Sequence, residues 1–228
     1  MNNGRVDLYG AIHKALRMVM GDTLVALGRA DADDPASVAG TLAQVGRLVD
    51  FCAGHLEHED AFVHPALAAR ATDWSGRTAG DHEHHAAAFA ELRAGIAAVE
   101  AASGSVERGA ALARLYRRVA VFVGDNFLHM EVEESENNAA LWKHYSDAEL
   151  IAIHQALVAS LPPAAMAEAM QAILLAAAPA ERAATLDMLR RSAPEPFYDA
   201  MLEAIRPRLS QQDRHKLALA LDGLAEAA

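Results

Sequence analysis

The chain has 228 residues, enough for one full-sized domain or a domain with a helical extension. Ala and Leu dominate a composition that is 53% hydrophobic but only 5% aromatic, and period-two runs of β-branched residues are absent, so an all-α fold is the economical reading. A formal charge of −11 argues against a cationic face for nucleic acid or an anionic membrane, the single Cys52 excludes an internal disulfide, and no leader-like start or unbroken apolar run of ~20 residues is visible, which points to a cytoplasmic protein.

In chain order, 3.6-residue periodicity predicts a first helix over roughly Asp7 to Arg29, followed by a turn at Asp31-Ala-Asp-Asp-Pro35. A second helix runs from about Pro35, a good first-turn residue, to Arg70. Ser75-Gly76 breaks the chain before a third helix from about Thr78 to Ala102. Ser103-Gly-Ser105 makes the next turn, with Ser105 as candidate N-cap, and a fourth helix covers roughly Val106 to Lys143. Short connections between long helices predict an up-down-up-down four-helix bundle over residues 1–143. From His144 onward the character changes. Ser146-Asp-Ala-Glu149 is a capping-box pattern opening a helix that ends before Pro162-Pro163. Shorter helices follow, punctuated by Pro179, Pro194-Glu-Pro196 and Pro207, and Ser210-Gln-Gln-Asp213 starts a last one. Residues 144–228 read as a helical extension that either packs on the bundle or forms an interface, such as a homodimer contact.

The chain carries eleven histidines, and their placement matters more than their number. Each long helix has a stripe for the bundle core: Tyr9, His13, Leu16, Met20, Leu24, Leu27; then Val45, Val49, Cys52, His55, Glu59, Phe62; then His82, His85, Phe89, Leu92, Ile96, Val99; then Leu115, Val119, Phe122, Asn126, His129, Glu133. Ionisable groups on such stripes are costly unless they are paired or bind a metal. His13 and His82 lie near the starts of odd helices, His55 and His129 near the ends of even ones. Antiparallel topology therefore brings all four to one end, while the other is lined by residues such as Leu27, Leu42, Leu92 and Leu112. Each hairpin also repeats one pattern, a lone His on its first helix and His-x-x-x-Glu on its second. That i, i+4 spacing puts imidazole and carboxylate on one face, a ligand set suited to iron, zinc or manganese. One carboxylate from each hairpin could bridge two metals.

At these residues the chain resembles the hemerythrin family, including the hemerythrin-like HHE domains. The matching pieces are Ile12-His-Lys-Ala-Leu-Arg17, His55-Leu-Glu-His-Glu-Asp-Ala-Phe-Val-His-Pro65, Asp81-His-Glu-His-His85 and His129-Met-Glu-Val-Glu-Glu134, within roughly residues 7–143. The tail, including Pro179-Ala-Glu-Arg182, is similar to helical extensions on some bacterial members. The resemblance implies two non-haem iron ions, or other divalent metals, with His13 and His55 on one, His82, a neighbouring group and His129 on the other, and Glu59 and Glu133 bridging. Helix three departs from the family's usual His-x-x-x-His, because four residues after His82 stands Ala86. His85 fills the gap at i+3, or Asp81 pairs with His85, or one metal has a ligand fewer; the stripe favours His82 with His85. On helix four the family's carboxylate at i+5 would be Glu134, whereas the stripe favours Glu133.

His58, His64 and His84 fall off the stripes and read as surface or outer-layer groups, and His144, His154 and His215 as solvated. Cys52 reads as a buried inert thiol, and Trp74 and Trp142 flank the metal end. No Glu-x-x-His of the ferritin-like oxidases occurs in the chain. A His-rich, carboxylate-poor set fits reversible dioxygen binding better than oxygen activation, because neutral imidazoles offset less of the charge of high-valent iron. The leading expectation is thus a di-iron protein that binds or senses dioxygen or a related ligand such as nitric oxide, without partners among nucleic acids or membranes. The alternatives are an iron- or redox-responsive regulator acting through the C-terminal helices, an enzyme consuming peroxide or nitric oxide, and a structural bundle without metal.

Overall fold

A computed structural model describes residues 4–71 and 76–226, and every regular element among them is helical. Trp74 and Ser75 lie outside the described residues. Among those residues no helix is long and apolar enough to cross a membrane. The chain forms two compact units, Met1–Tyr9 with Arg17–Ala159, and Gly10–Leu16 with Ser160–Ala228.

The first unit is an up-down-up-down bundle. Helix α1 spans Gly10–Gly28 and α2 spans Pro35–His58. The Asp34 carboxylate caps α2 by accepting from the Ala36 N–H at 2.9 Å, with Pro35 in the first turn. Helix α4 (Arg77–Glu100) begins after Gly76, whose φ of +67° suits a residue without a Cβ. Helix α5 (Ser105–Val132) starts one residue earlier than expected. Ser105 is inside the helix rather than its cap, and Glu107 reaches back to the Ser103 N–H at 3.0 Å.

The largest departure from the sequence reading is that the second and fourth helices are not continuous α-helix. Each is interrupted by a π-turn, π1 at Glu59–Val63 and π2 at Glu133–Asn137, before resuming as α3 (His64–Arg70) and α6 (Asn138–His144). The local chemistry explains both. Pro65 has no N–H to give to the carbonyl four residues back, so the preceding turn widens and the His64 N–H reaches the Glu59 carbonyl, five residues back. In π2 the Asn138 N–H likewise goes to the Glu133 carbonyl. The Asn138 amide side chain takes the Glu134 carbonyl at 3.2 Å, the acceptor that an α-helix would have assigned to its backbone. A π-turn takes more residues per revolution, so the inward stripe steps by four: Val63, not the expected Phe62, is buried after Glu59, and Asn137 follows Glu133.

Elsewhere the inward stripes hold, with Leu16, Met20, Val45, Val49, Leu92, Leu115 and Val119 buried, although Leu24 and Ile96 are half-buried and Gly95 turns inward instead. A Cβ at Gly95 would come within 2.8 Å of Leu115 Cδ1, so this glycine permits the close approach of α4 and α5. Helix α7 (Asp147–Ser160) opens with the expected reciprocal bonds between Ser146 and Glu149. It belongs almost wholly to the first unit rather than to an extension starting at 144, because Leu150 is buried with Tyr9, Val63, Leu67 and Leu141.

The second unit contains α8 (Pro163–Ala176), α9 (Pro179–Ser192), α10 (Glu195–Ile205) and α11 (Gln211–Glu226). Its core is built on Leu174, Leu186, Leu202, Ile205 and Leu217. Buried Arg182 ties α9 to the end of α8, donating to the Leu174 and Ala177 carbonyls at 2.7 Å each. Replacing it, as Arg182→Leu, strands those acceptors and is expected to cost about 1–3 kcal/mol, read as a lower denaturant midpoint for the second unit.

Candidate metal centre

The sequence at each π-turn starts with the glutamate of a His-x-x-x-Glu motif. Glu59 is 3% exposed and Glu133 is fully buried. Across the preceding helical turn, His55 Nε2 stands 3.2 Å from Glu59 Oε1 and His129 Nε2 stands 3.3 Å from Glu133 Oε2. Helix α4 adds His82, whose Nε2 lies 3.5 Å from Glu59 Oε2, 3.9 Å from Glu133 Oε1 and 3.2 Å from His129 Nε2. Each of Glu59, His82, His129 and Glu133 thus offers a donor atom within 4.8 Å of the others. Glu134 points elsewhere, into an ion pair with Arg17 at 2.5 Å.

The outward-facing nitrogens of the two central rings meet carboxylates. His82 Nδ1 is 2.8 Å from Asp60 Oδ1, and His129 Nδ1 is 3.3 Å from Asp81 Oδ2. Both carboxylates are at least two-fifths exposed, and a carboxylate accepts, so a proton on each Nδ1 would satisfy these contacts and leave each Nε2 a lone pair. Two lone pairs facing each other at 3.2 Å repel unless a cation lies between them. Two buried carboxylates at the same place call for positive charge as well. The donor set therefore fits metal, with imidazole and carboxylate suited to iron, zinc or manganese.

Burial and charge shift the neighbouring groups in consistent directions. Burial works against a proton on His82, but the Glu59 and Asp60 carboxylates outweigh it and raise its pKa. His85 is driven down to about 4, by burial first and then by His129 and His82. Tyr9 is held well above its ordinary value by burial and by Glu59 and Glu133. Burial pushes the Cys52 thiol up as well, in keeping with an inert core position.

The structure treats the other expected residues differently. His13 is fully buried on α1, in the stretch Gly10–Leu16 that groups with the second unit. His85, expected beside His82, is buried but is not among the converging donors: at i+3 it turns aside, its ring edge-on to His129 with centroids 4.8 Å apart. Asp81 holds the His129 ring rather than joining that group. His64, expected at the surface or in an outer layer, is buried and takes the second of these places, against Asp60 at 2.8 Å. Its Nε2 lies 3.4 Å from Thr78 Oγ1, and Asn137 donates to both Thr78 Oγ1 and the Tyr9 hydroxyl, at 3.2 and 3.4 Å. Asp60, Thr78 and Asn137 form a polar layer that helical periodicity misses; Pro65, five residues after Asp60, was the available signal. His84 is exposed, and Trp142 donates to the Val6 carbonyl at 2.7 Å.

Residues 5–141 match the family model described as the hemerythrin HHE cation-binding domain. The chain belongs to the hemerythrin family. Comparison with curated proteins and with solved structures returns no match. Hemerythrin membership makes this a helical protein with a cation-binding domain, and the converging His and Glu side chains are groups able to hold metal.

His85 makes one contribution to the pH dependence of the metal-free protein, with His64 shifted in the same direction and His82 in the opposite one. Unfolded, His85 takes a proton near pH 6.5; folded, it resists until about pH 4. The unfolded state thus binds more protons between those values, and stability falls as pH drops through that window. Thermal melts are expected to show the loss, and His85→Gln to flatten it.

Proposed function

We propose that the chain is a non-haem di-iron protein that binds or senses dioxygen, or a related small ligand such as nitric oxide, in the core of the bundle. The observation that carries this reading is the pair of imidazole Nε2 atoms 3.2 Å apart, flanked by the glutamates of both hairpins. A shared proton would satisfy the two nitrogens alone; two buried carboxylates beside them favour a more highly charged cation. Glu59 and Glu133, one from each hairpin, would supply carboxylate oxygens to the two metals. When bound, such a pair supplies reversible redox chemistry toward a diatomic ligand.

The chain's own residues define the environment. His82 and His129 face one metal position. His55, 3.2 Å from Glu59 Oε1, is assigned to the other position, for which the family resemblance also implies His13. His85 stands edge-on to His129 outside the donor group, so the position at His82 and His129 would draw on two imidazoles and the two glutamates. Met20, Val49 and Phe122 are buried on the helices of the bundle, and the Phe122 ring stands edge-on to His85 with centroids 6.3 Å apart.

Anaerobic loading with ferrous iron should give two iron ions per chain, and admission of air should bring up a ligand-to-metal charge-transfer band. Less than one iron per chain with no band defeats the reading. His129→Ala should lose at least one iron per chain while the far-ultraviolet circular dichroism stays helical.

A further inference from the structure

Asp60 lies outside the motif that carries the donors, yet one of its oxygens serves two imidazoles. Oδ1 is 2.8 Å from His82 Nδ1 and 2.8 Å from His64 Nδ1, and the two rings lie with centroids 4.6 Å apart. The carboxylate is half-exposed, at 52%, whereas both rings are buried. A neutral imidazole places its proton on one nitrogen, and the hydrogen bond made by that nitrogen decides which. We propose that Asp60 is a positioning residue: it fixes His82 as the Nδ1–H tautomer, so that Nε2 faces the core as a bare donor, and it ties that ring to the layer of His64, Thr78, Asn137 and Tyr9. The assignment deepens the metal-centre reading and rests on it for its purpose, but not for its test.

The geometry favours this role over a ligand role for Asp60 itself. Asp60, His64 and His82 also offer donors within 4.8 Å of one another. At 2.8 Å, however, each nitrogen is at hydrogen-bond distance from an oxygen that accepts only, so a proton lies on each line. The π-turn makes the contact possible. Asp60 is the residue directly after Glu59, and the widened turn lets consecutive carboxylates serve the same ring from opposite sides, Glu59 near Nε2 and Asp60 at Nδ1. Asp81 does the same for His129 at a longer 3.3 Å, so Asp60 is the stronger of the two locks.

The test uses the full chain, metal-free and labelled with nitrogen-15, with His82 assigned by comparison with His82→Gln. Long-range proton–nitrogen correlation spectra at mildly alkaline pH read the tautomer directly. The wild type is expected to show Nδ1–H at His82. Asp60→Asn keeps an acceptor oxygen and should keep that tautomer; Asp60→Ala should populate Nε2–H. Cobalt(II) titration of the same proteins should show affinity weakened about 10–100-fold in Asp60→Ala, the usual cost of removing such a partner, with stoichiometry kept. Nε2–H at His82 in the wild type, or Nδ1–H persisting unchanged in Asp60→Ala, overturns the proposal. So does a loss of one whole cobalt per chain with the tautomer intact, which would make Asp60 a ligand. Tautomers that behave as stated in a wild type that takes up no cobalt would leave the positioning role standing and remove the metal reading alone.

Discussion

Ionisable side chains inside a helical bundle are tolerated only where they face one another or a cation, since each loses its hydration on burial. The first unit places Glu59, His82, His129 and Glu133 in one small volume, with donor atoms within 4.8 Å of each other. Much of the surrounding structure serves that arrangement. Apolar residues fill the opposite end of the bundle, Asp60 and Asp81 orient the two central rings from outside, and both His-x-x-x-Glu turns run directly into a π-turn. Packed without a cation, the two facing imidazole nitrogens and the two carboxylates would destabilise the core they occupy.

The two hairpins solve the same geometric problem by different chemistry. In the first, Pro65 withholds an N–H and the turn widens. In the second, no proline is present, and the Asn138 side chain occupies the carbonyl that its backbone gives up. Both outcomes place a glutamate at the first position of the wide turn and a buried polar or aliphatic residue four positions on. The internal echo visible in the motifs therefore extends to the backbone, and with it to the layer of His64, Thr78 and Asn137 behind the donors.

Much of this was legible in the sequence. Regular periodicity gave the helices, the stripe from Leu115 on α5 to Glu133 at the start of π2 is buried throughout, and the motif spacing pointed to a family that the match over residues 5–141 bears out. Legibility ended where regular periodicity ended. Phe62 was expected inward and Val63 is there; His64 was left between the surface and an outer layer and is buried; Asp60 was not considered at all. One extra residue in a turn rotates everything after it, and no pattern of apolar residues announces that rotation. Helix α7 has little apolar asymmetry of its own, and it groups with the first unit through buried Leu150.

X-ray absorption at the iron edge of the loaded protein tests the central claim most directly, because it reports the atoms around the metal rather than its mere presence. The account predicts a first shell of nitrogen and oxygen with the multiple-scattering signature of imidazole rings, and a second iron as a heavier scatterer just beyond it. A shell of oxygen alone, without imidazole scattering, would contradict it.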